Sequence, residues 1–272
     1  MHLSYAVATK DTSSRDILAY RASLSESAAR LRDLGYEALE LMIRDPQELD
    51  AEEIRATLER YGLRVAAIGT GSVFSEDRLS FMDPDEQVRK AAIERACSIV
   101  RFAQSTASPV VVGKLRGQFV PGIDRETSRK WARDGFLKML DEASSRGVKV
   151  LLEPQSRVAT NFLRSTQEGL AWIRELSHPA LGIMLDTFHM NIEDASPVAS
   201  IIEACPYLGH VHLADNNRLA PGKGHINFLE ILRTLKAVGY RGYLSIEISQ
   251  VPDQDTAARE AFAYLHQLLL SV

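Results

Sequence analysis

Short apolar runs alternate with longer segments of helical period from one end of the chain to the other. The apolar runs are LSYAVAT (3–9), EALELMI (37–43), RVAAIGT (64–70), PVVVGKL (109–115), KVLLEP (149–154), LGIMLDT (181–187), LGHVHLA (208–214) and GYLSIEI (242–248). Most are continuous rather than alternating in polarity, which predicts parallel strands covered on both faces. Between them lie amphipathic stretches at 25–34, 50–61, 85–105, 124–146, 166–176, 196–204, 227–238 and 254–270. Glycines 35, 62, 147 and 239 stand just past helical segments, where a left-handed residue closes the last turn. Asp83-Pro84 and Ser196-Pro197 have the form of a cap followed by a first-turn proline, and Asn227 is a candidate cap for the helix after it.

Eight strand–helix units in 272 residues predict a (β/α)₈ TIM barrel of the α/β class. A doubly wound open sheet would need a glycine-rich nucleotide turn after the first strand, and ATKDTSSRD has none. No linker or low-complexity block divides the chain, so residues 1–272 read as a single domain. With 45% hydrophobic residues there is ample material for one large core. Lys and Arg number 32 against 36 Asp and Glu, a net charge of -4 that argues against nucleic acid as partner. Only Cys97 and Cys205 are present, far apart, which fits a reducing compartment. No leader pattern opens the chain, and no apolar run approaches the roughly 18 residues of a membrane span. The expectation is a cytoplasmic protein acting on a small molecule, without a membrane partner.

Active-site groups of such a barrel come from the C-terminal ends of the strands. The first four ends are small or mildly polar. The last four differ: Glu153 closes KVLLE, Asp186 closes LGIMLD, His212 lies late in GHVHL and Glu247 late in GYLSIE. Singly, each acid has a structural explanation as a helix cap or an arginine partner. Together, three carboxylates at the same height of apolar strands repel one another unless a cation lies between them. Three carboxylates and an imidazole form a ligand set for one Mn²⁺, Co²⁺, Mg²⁺ or Zn²⁺ ion. His189, Arg157 and Arg218 follow these ends closely and suit hydrogen bonding to sugar hydroxyls, or else a rim salt bridge or cap. His210 shares the inward face with His212 two residues deeper, which predicts a supporting role behind the ligands.

The segments LLEP (151–154), GIMLDTFHMN (182–191), GHVHLADNNR (209–218), PGKGHINF (221–228) and YLSIEI (243–248) resemble the xylose-isomerase-like TIM-barrel superfamily, in its sugar isomerase/epimerase branch. The nearest likeness is to ketose 3-epimerases of the D-tagatose, D-allulose and L-ribulose type, and it covers most of the chain. The resemblance implies that Glu153, Asp186, His212 and Glu247 hold one divalent metal, manganese first, then cobalt or magnesium, ahead of zinc. It further implies Glu153 and Glu247 as an acid/base pair on opposite faces of the ketose C3, and His189 and Arg218 at its O1–O2 end. A homodimer or homotetramer is implied as well.

One departure bears on substrate. The family commonly continues after its first glutamate with Asn-Arg-aromatic-Glu, whereas this chain reads Gln155-Ser156-Arg157-Val158-Ala159, so the second acid is absent. Aldose–ketose isomerases of the hydroxypyruvate type, inosose dehydratases and sugar-acid lyases share the scaffold and stay open as alternatives. Endonuclease IV-type phosphodiesterases would need additional His and Asp ligands at the second and third strand ends, where Arg44-Asp45 and Gly71-Ser72 stand. A non-catalytic sugar-binding barrel would have no use for the pair of glutamates. Pro221-Gly222-Lys223-Gly224 reads as a tight turn, or as an amide nest for a phosphate.

Overall fold

The computed structural model describes residues 1–272. Its strands are β1 (His2–Ala8), β2 (Ala38–Met42), β3 (Arg64–Gly69), β4 (Val110–Val112), β5 (Val150–Leu152), β6 (Leu181–Asp186), β7 (Leu208–Leu213) and β8 (Tyr243–Ile246). Each pairs in parallel with its sequence neighbours and β1 closes on β8, giving the eight-stranded barrel that the alternation predicts. The helices are α1 (Leu24–Leu34), α2 (Ala51–Arg60), α3 (Gly71–Asp77), α4 (Glu86–Thr106), α5 (Arg125–Arg146), α6 (Thr166–Leu176), α7 (Thr187–Glu193), α8 (Pro197–Ala204), α9 (Phe228–Ala237) and α10 (Gln254–Leu269).

Eight of the ten helices lie on the expected stretches, and α3 and α7 are additional short ones directly after β3 and β6. In α7 the strand runs into the helix without a break, because the Asp186 carboxylate accepts the Phe188 N–H at 2.8 Å and so caps it. Ser196 and Asn227 cap α8 and α9 as expected. Helix α4 is capped by Asp85 and not by Asp83: Asp85 accepts from Gln87 N at 2.8 Å, while Asp83 accepts from Asp85 N at 2.9 Å in a turn one step earlier. Strand β4 is shorter than its apolar run because Gly113 leads into a one-turn helix, Lys114–Arg116, that carries Arg116 inside.

Alternate strand residues face outward and inward. The outward set, among it Tyr5, Leu39, Val150, Ile183, Leu213 and Ile246, joins the helices in the principal apolar core. The inward set is different in kind. Ala67, Val111, Leu151 and Met184 make a small apolar plug, and the hydroxyls of Ser4 and Ser245 bond each other at 2.5 Å. Leu151 fits because Gly182 and Gly209 are bare, since a Cβ on either would come within 2.9 and 2.6 Å of its Cδ2. Above the plug, toward the C-terminal ends, the lumen is lined by charge. No helix is long and apolar enough to cross a membrane.

Candidate active site and metal centre

Consecutive strands β5 to β8 bring Glu153, Asp186, His212 and Glu247 together, with one ligand atom from each within 4.8 Å of all the others. Glu153, Asp186 and His212 are buried, and Glu247 is 19% exposed toward the mouth. His212 Nδ1 lies 3.5 Å from Glu247 Oε2 and 3.9 Å from Asp186 Oδ2, and this buried nitrogen has no hydrogen-bond partner. A buried polar atom without a partner is costly. Three carboxylates converging on it have no protons to offer when ionised, and a cation meets all four needs at once. The donor set fits a divalent metal ion, with borderline imidazole and hard carboxylate oxygen.

The electrostatics agree. Burial and the neighbouring Glu247 charge push the Glu153 carboxyl up to about 8. Burial also opposes charge on Asp186, but Arg218, His189 and His212 outweigh it and hold that carboxyl below its ordinary range. For His212 burial is overcome by Glu40 and Glu247, which raise the imidazole well above its usual value. Proton occupancy at Glu153 and His212 is thus the substitute for a positive ion in the metal-free site.

Glu40 is the residue of the candidate site that the strand ends did not reveal. It lies within β2 and is fully buried in the lumen, where its carboxylate lies 2.8 Å from His210 Nε2 and 2.9 and 3.0 Å from His212 Nε2. Burial opposes its charge, yet His212 and His210 hold it well below the ordinary carboxylate range. The signal was present in the period of two. In EALELMI, Leu39 and Leu41 belong to the outer core, which leaves Glu40 facing in. His210 therefore touches Glu40 beneath the ligand cluster.

The mouth of the site is built by α7 and the loop after β7. His189, 4% exposed, is gripped between Ser156, whose hydroxyl is 2.9 Å from Nδ1, and Arg218 Nη2 at 3.1 Å from Nε2. The Ser156 backbone N–H also donates to Nδ1 at 3.2 Å, so donors stand at both nitrogens of this ring. Burial pushes this imidazole down to about 4, so it is neutral at physiological pH. Arg218 takes a left-handed backbone, φ 61°, and turns back over the site. Its Nη1 donates to Asp186 Oδ2 at 2.6 Å, and its guanidinium carbon stands 4.4 Å from the centre of the Phe188 ring.

Arg157 lies outside this group. Its exposed guanidinium makes a two-point pair with Glu193 at 2.8 and 2.9 Å. Gln155 instead points in, donating from Nε2 to Glu153 Oε2 at 2.7 Å. Its amide oxygen faces Arg116 Nη1 at 3.5 Å, and Arg116 also donates to the carbonyls of Gly113 and Glu153. The loop at 221–224 is a turn and not a free nest: the buried Asp215 carboxylate already accepts the amides of Gly222 and Gly224 at 2.9 and 2.8 Å.

Residues 28–268 match the sequence profile of the xylose isomerase-like TIM barrel family. The chain belongs to that family. Among curated members it is 30% identical over 217 residues to the L-ribulose 3-epimerase of Methylomonas sp. (strain DH-1), covering 78% of this chain and 74% of that protein. It is 27% identical to the 3-dehydro-D-guloside 4-epimerase of Escherichia coli, over 89% of this chain and 94% of the other. A solved L-ribulose 3-epimerase superposes with a TM-score of 0.82 at 24% identity, covering 98% of this chain and 94% of its own. These relatives of the xylose isomerase-like barrel are sugar epimerases, enzymes of the isomerase class.

Proposed function

We propose that the protein is a metal-dependent ketose 3-epimerase in which Glu153 and Glu247 exchange the C3 proton. The observation that carries this reading is the buried, unpartnered His212 Nδ1 facing two carboxylates of the four-residue cluster. Glu153, Asp186, His212 and Glu247 would hold one divalent ion, manganese by family resemblance. When bound, it supplies Lewis-acid stabilisation for the negative charge that develops as a proton leaves the carbon beside a ketone.

The chain's own residues do the rest. One glutamate removes the C3 proton and the other returns a proton on the opposite face, which inverts the centre. Gln155 keeps one oxygen of Glu153 occupied and so restricts its rotation. Cationic Arg218 lies over the mouth as a donor for substrate oxygens at the ketone end, and neutral His189 beside it holds that guanidinium in place. The family resemblance implies a homo-oligomer, and a homodimer or homotetramer is proposed on that ground.

A second reading, epimerisation at C4 of a 3-keto sugar, uses the same two bases on the other side of a ketone. Ala159 favours it, since together with the 70% exposed Val158 it leaves the rim open and without an acid where a bulkier sugar would enter.

The test is Glu153→Gln and Glu247→Gln, assayed with saturating Mn²⁺. Loss of a general acid/base is expected to cost on the order of 10²–10⁴ in turnover. Each variant should also retain solvent hydrogen exchange into one epimer only, because the remaining base still works its own face. Full epimerase activity in either variant overturns the two-base assignment.

A further inference from the structure

We propose that Glu40 is a positioning residue for the metal centre: it fixes the ring of His212 with Nε2 protonated, so that the Nδ1 lone pair is presented to the ion, and His210 braces Glu40 in that role. This rests on the metal reading above and extends it to the layer beneath the ligands.

The argument begins with how a β2 side chain reaches β7 at all. The strands are not neighbours, because β1 and β8 stand between them. Glu40 is in register with Ala6 on β1 and Ala67 on β3, and one layer below it Ser4 pairs with Ser245 of β8. Those residues are small, so the lumen stays open along the path. An inner face of branched residues, as barrels usually have, would close this route.

At the end of that path, one carboxylate meets two imidazoles through the same kind of nitrogen. Glu40 Oε2 is 2.8 Å from His210 Nε2 and 2.9 Å from His212 Nε2, and Oε1 is 3.0 Å from the latter. The carboxylate only accepts, so both Nε2 atoms must donate. For His212 this decides the tautomer and leaves Nδ1 as the atom available to a metal. Nδ1 is the ring nitrogen that has no partner and faces Glu247 and Asp186. The two rings stand edge to face, 5.4 Å between centres at 82°, so His210 cannot tilt without moving the Glu40 oxygen they share. Glu40, His210 and His212 could also be taken for a second cation site. However, the Glu40 carboxylate already accepts from both Nε2 atoms, so these three side chains satisfy one another without an ion.

The measurement is Mn²⁺ binding to the metal-stripped protein, by calorimetry and by the paramagnetic resonance signal of free Mn²⁺. It compares the wild type with Glu40→Gln, Glu40→Asp, His210→Gln and His210→Leu, and with Asp186→Asn as the variant missing a ligand. In parallel, ¹⁵N NMR of the histidines with Zn²⁺ as a diamagnetic probe reads the His212 tautomer directly.

The expected result is one ion per chain in the wild type, and a 10–100-fold weaker dissociation constant in Glu40→Gln. His212 should be Nε2-protonated and Nδ1-bound in the wild type. His210→Gln, which keeps a donor, should bind more tightly than His210→Leu. If Glu40→Gln does not fold, Glu40→Asp and the His210 pair carry the same comparison. Affinity within twofold of wild type in folded Glu40 variants, Zn²⁺ bound through Nε2, or two ions per chain would each overturn the proposal. A wild type that binds no Mn²⁺ would overturn the metal reading itself, and this one with it.

Discussion

Adding one methyl group at Gly113 should disable the site by displacing Glu153, with every catalytic residue left in the sequence. A Cβ built there lies 2.5 Å from Glu153 Oε2 and 2.7 Å from Gln155 Nε2. Ordinary contact begins at 3.4 Å, so the carboxylate oxygen must retreat by 3.4 − 2.5, about 0.9 Å, or the strand must move. The amide of Gln155 is the far end of a side chain, but it is tied to Glu153 at 2.7 Å and faces Arg116, so it has little freedom to yield. Overpacking of this size typically costs about 1–3 kcal/mol of stability. The catalytic cost is larger, since displacing a reacting group by roughly 1 Å can reduce turnover on the order of 10²-fold. Gly113→Ala would be assayed by kcat/KM on the active ketose with saturating Mn²⁺, with thermal unfolding run alongside. A variant that stays folded and loses about two orders of magnitude supports the reasoning. One that keeps kcat/KM within threefold of wild type refutes it.

Two further predictions follow from the charges in the lumen. Metal binding should release protons, because Glu153 is up at about 8 and His212 well above its usual value, and both must be bare to hold an ion. Calorimetry in buffers of different ionisation heat should find about two protons released per Mn²⁺ near pH 6–7, with fewer at higher pH, and no release at any pH would contradict the assignment. The metal-free protein should also lose stability as pH rises. Between the ordinary 4.5 and about 8 the folded Glu153 keeps a proton that the unfolded chain gives up, and His212 does the same above 6.5. Glu40 and Asp186, held low, keep their own contribution across this window. The metal-stripped melting temperature should therefore be lower at pH 8.5 than at pH 6, with saturating Mn²⁺ removing or reversing the trend. An unchanged or rising curve without metal would count against the burial of Glu153 and His212 as protonated groups.

The eight-unit alternation was legible because each outward strand face is apolar and each helix has one apolar side. The last four strand ends were legible because an acid at the end of an apolar run stands out. Glu40 was not, since it sits in mid-strand between Leu39 and Leu41, and a run read as continuous hides which side chains face the lumen. Arg116 was hidden because it follows an apparent strand, 109–115, that the chain in fact leaves at Gly113. Distance along the sequence also says nothing about direction. Arg157 and Arg218 both follow a ligand closely, yet Glu193 holds the first outside the cleft, while a left-handed backbone turns the second back onto Asp186. Helix α7 escaped notice because Asp186 does two jobs, ending the strand and capping the helix.

The most direct measurement is a panel of D-allulose, D-tagatose, L-ribulose, hydroxypyruvate and myo-inosose incubated with the Mn²⁺-loaded protein in D₂O. It would include a 3-keto sugar, and the products would be read by NMR. The account predicts that a ketose is converted to its C3 epimer with one solvent deuterium at C3. Deuterium at C4 of the 3-keto sugar would shift the reaction to the second reading with the same bases. Deuterium at C1 with an aldose product, loss of water, or epimerisation without solvent hydrogen would contradict it.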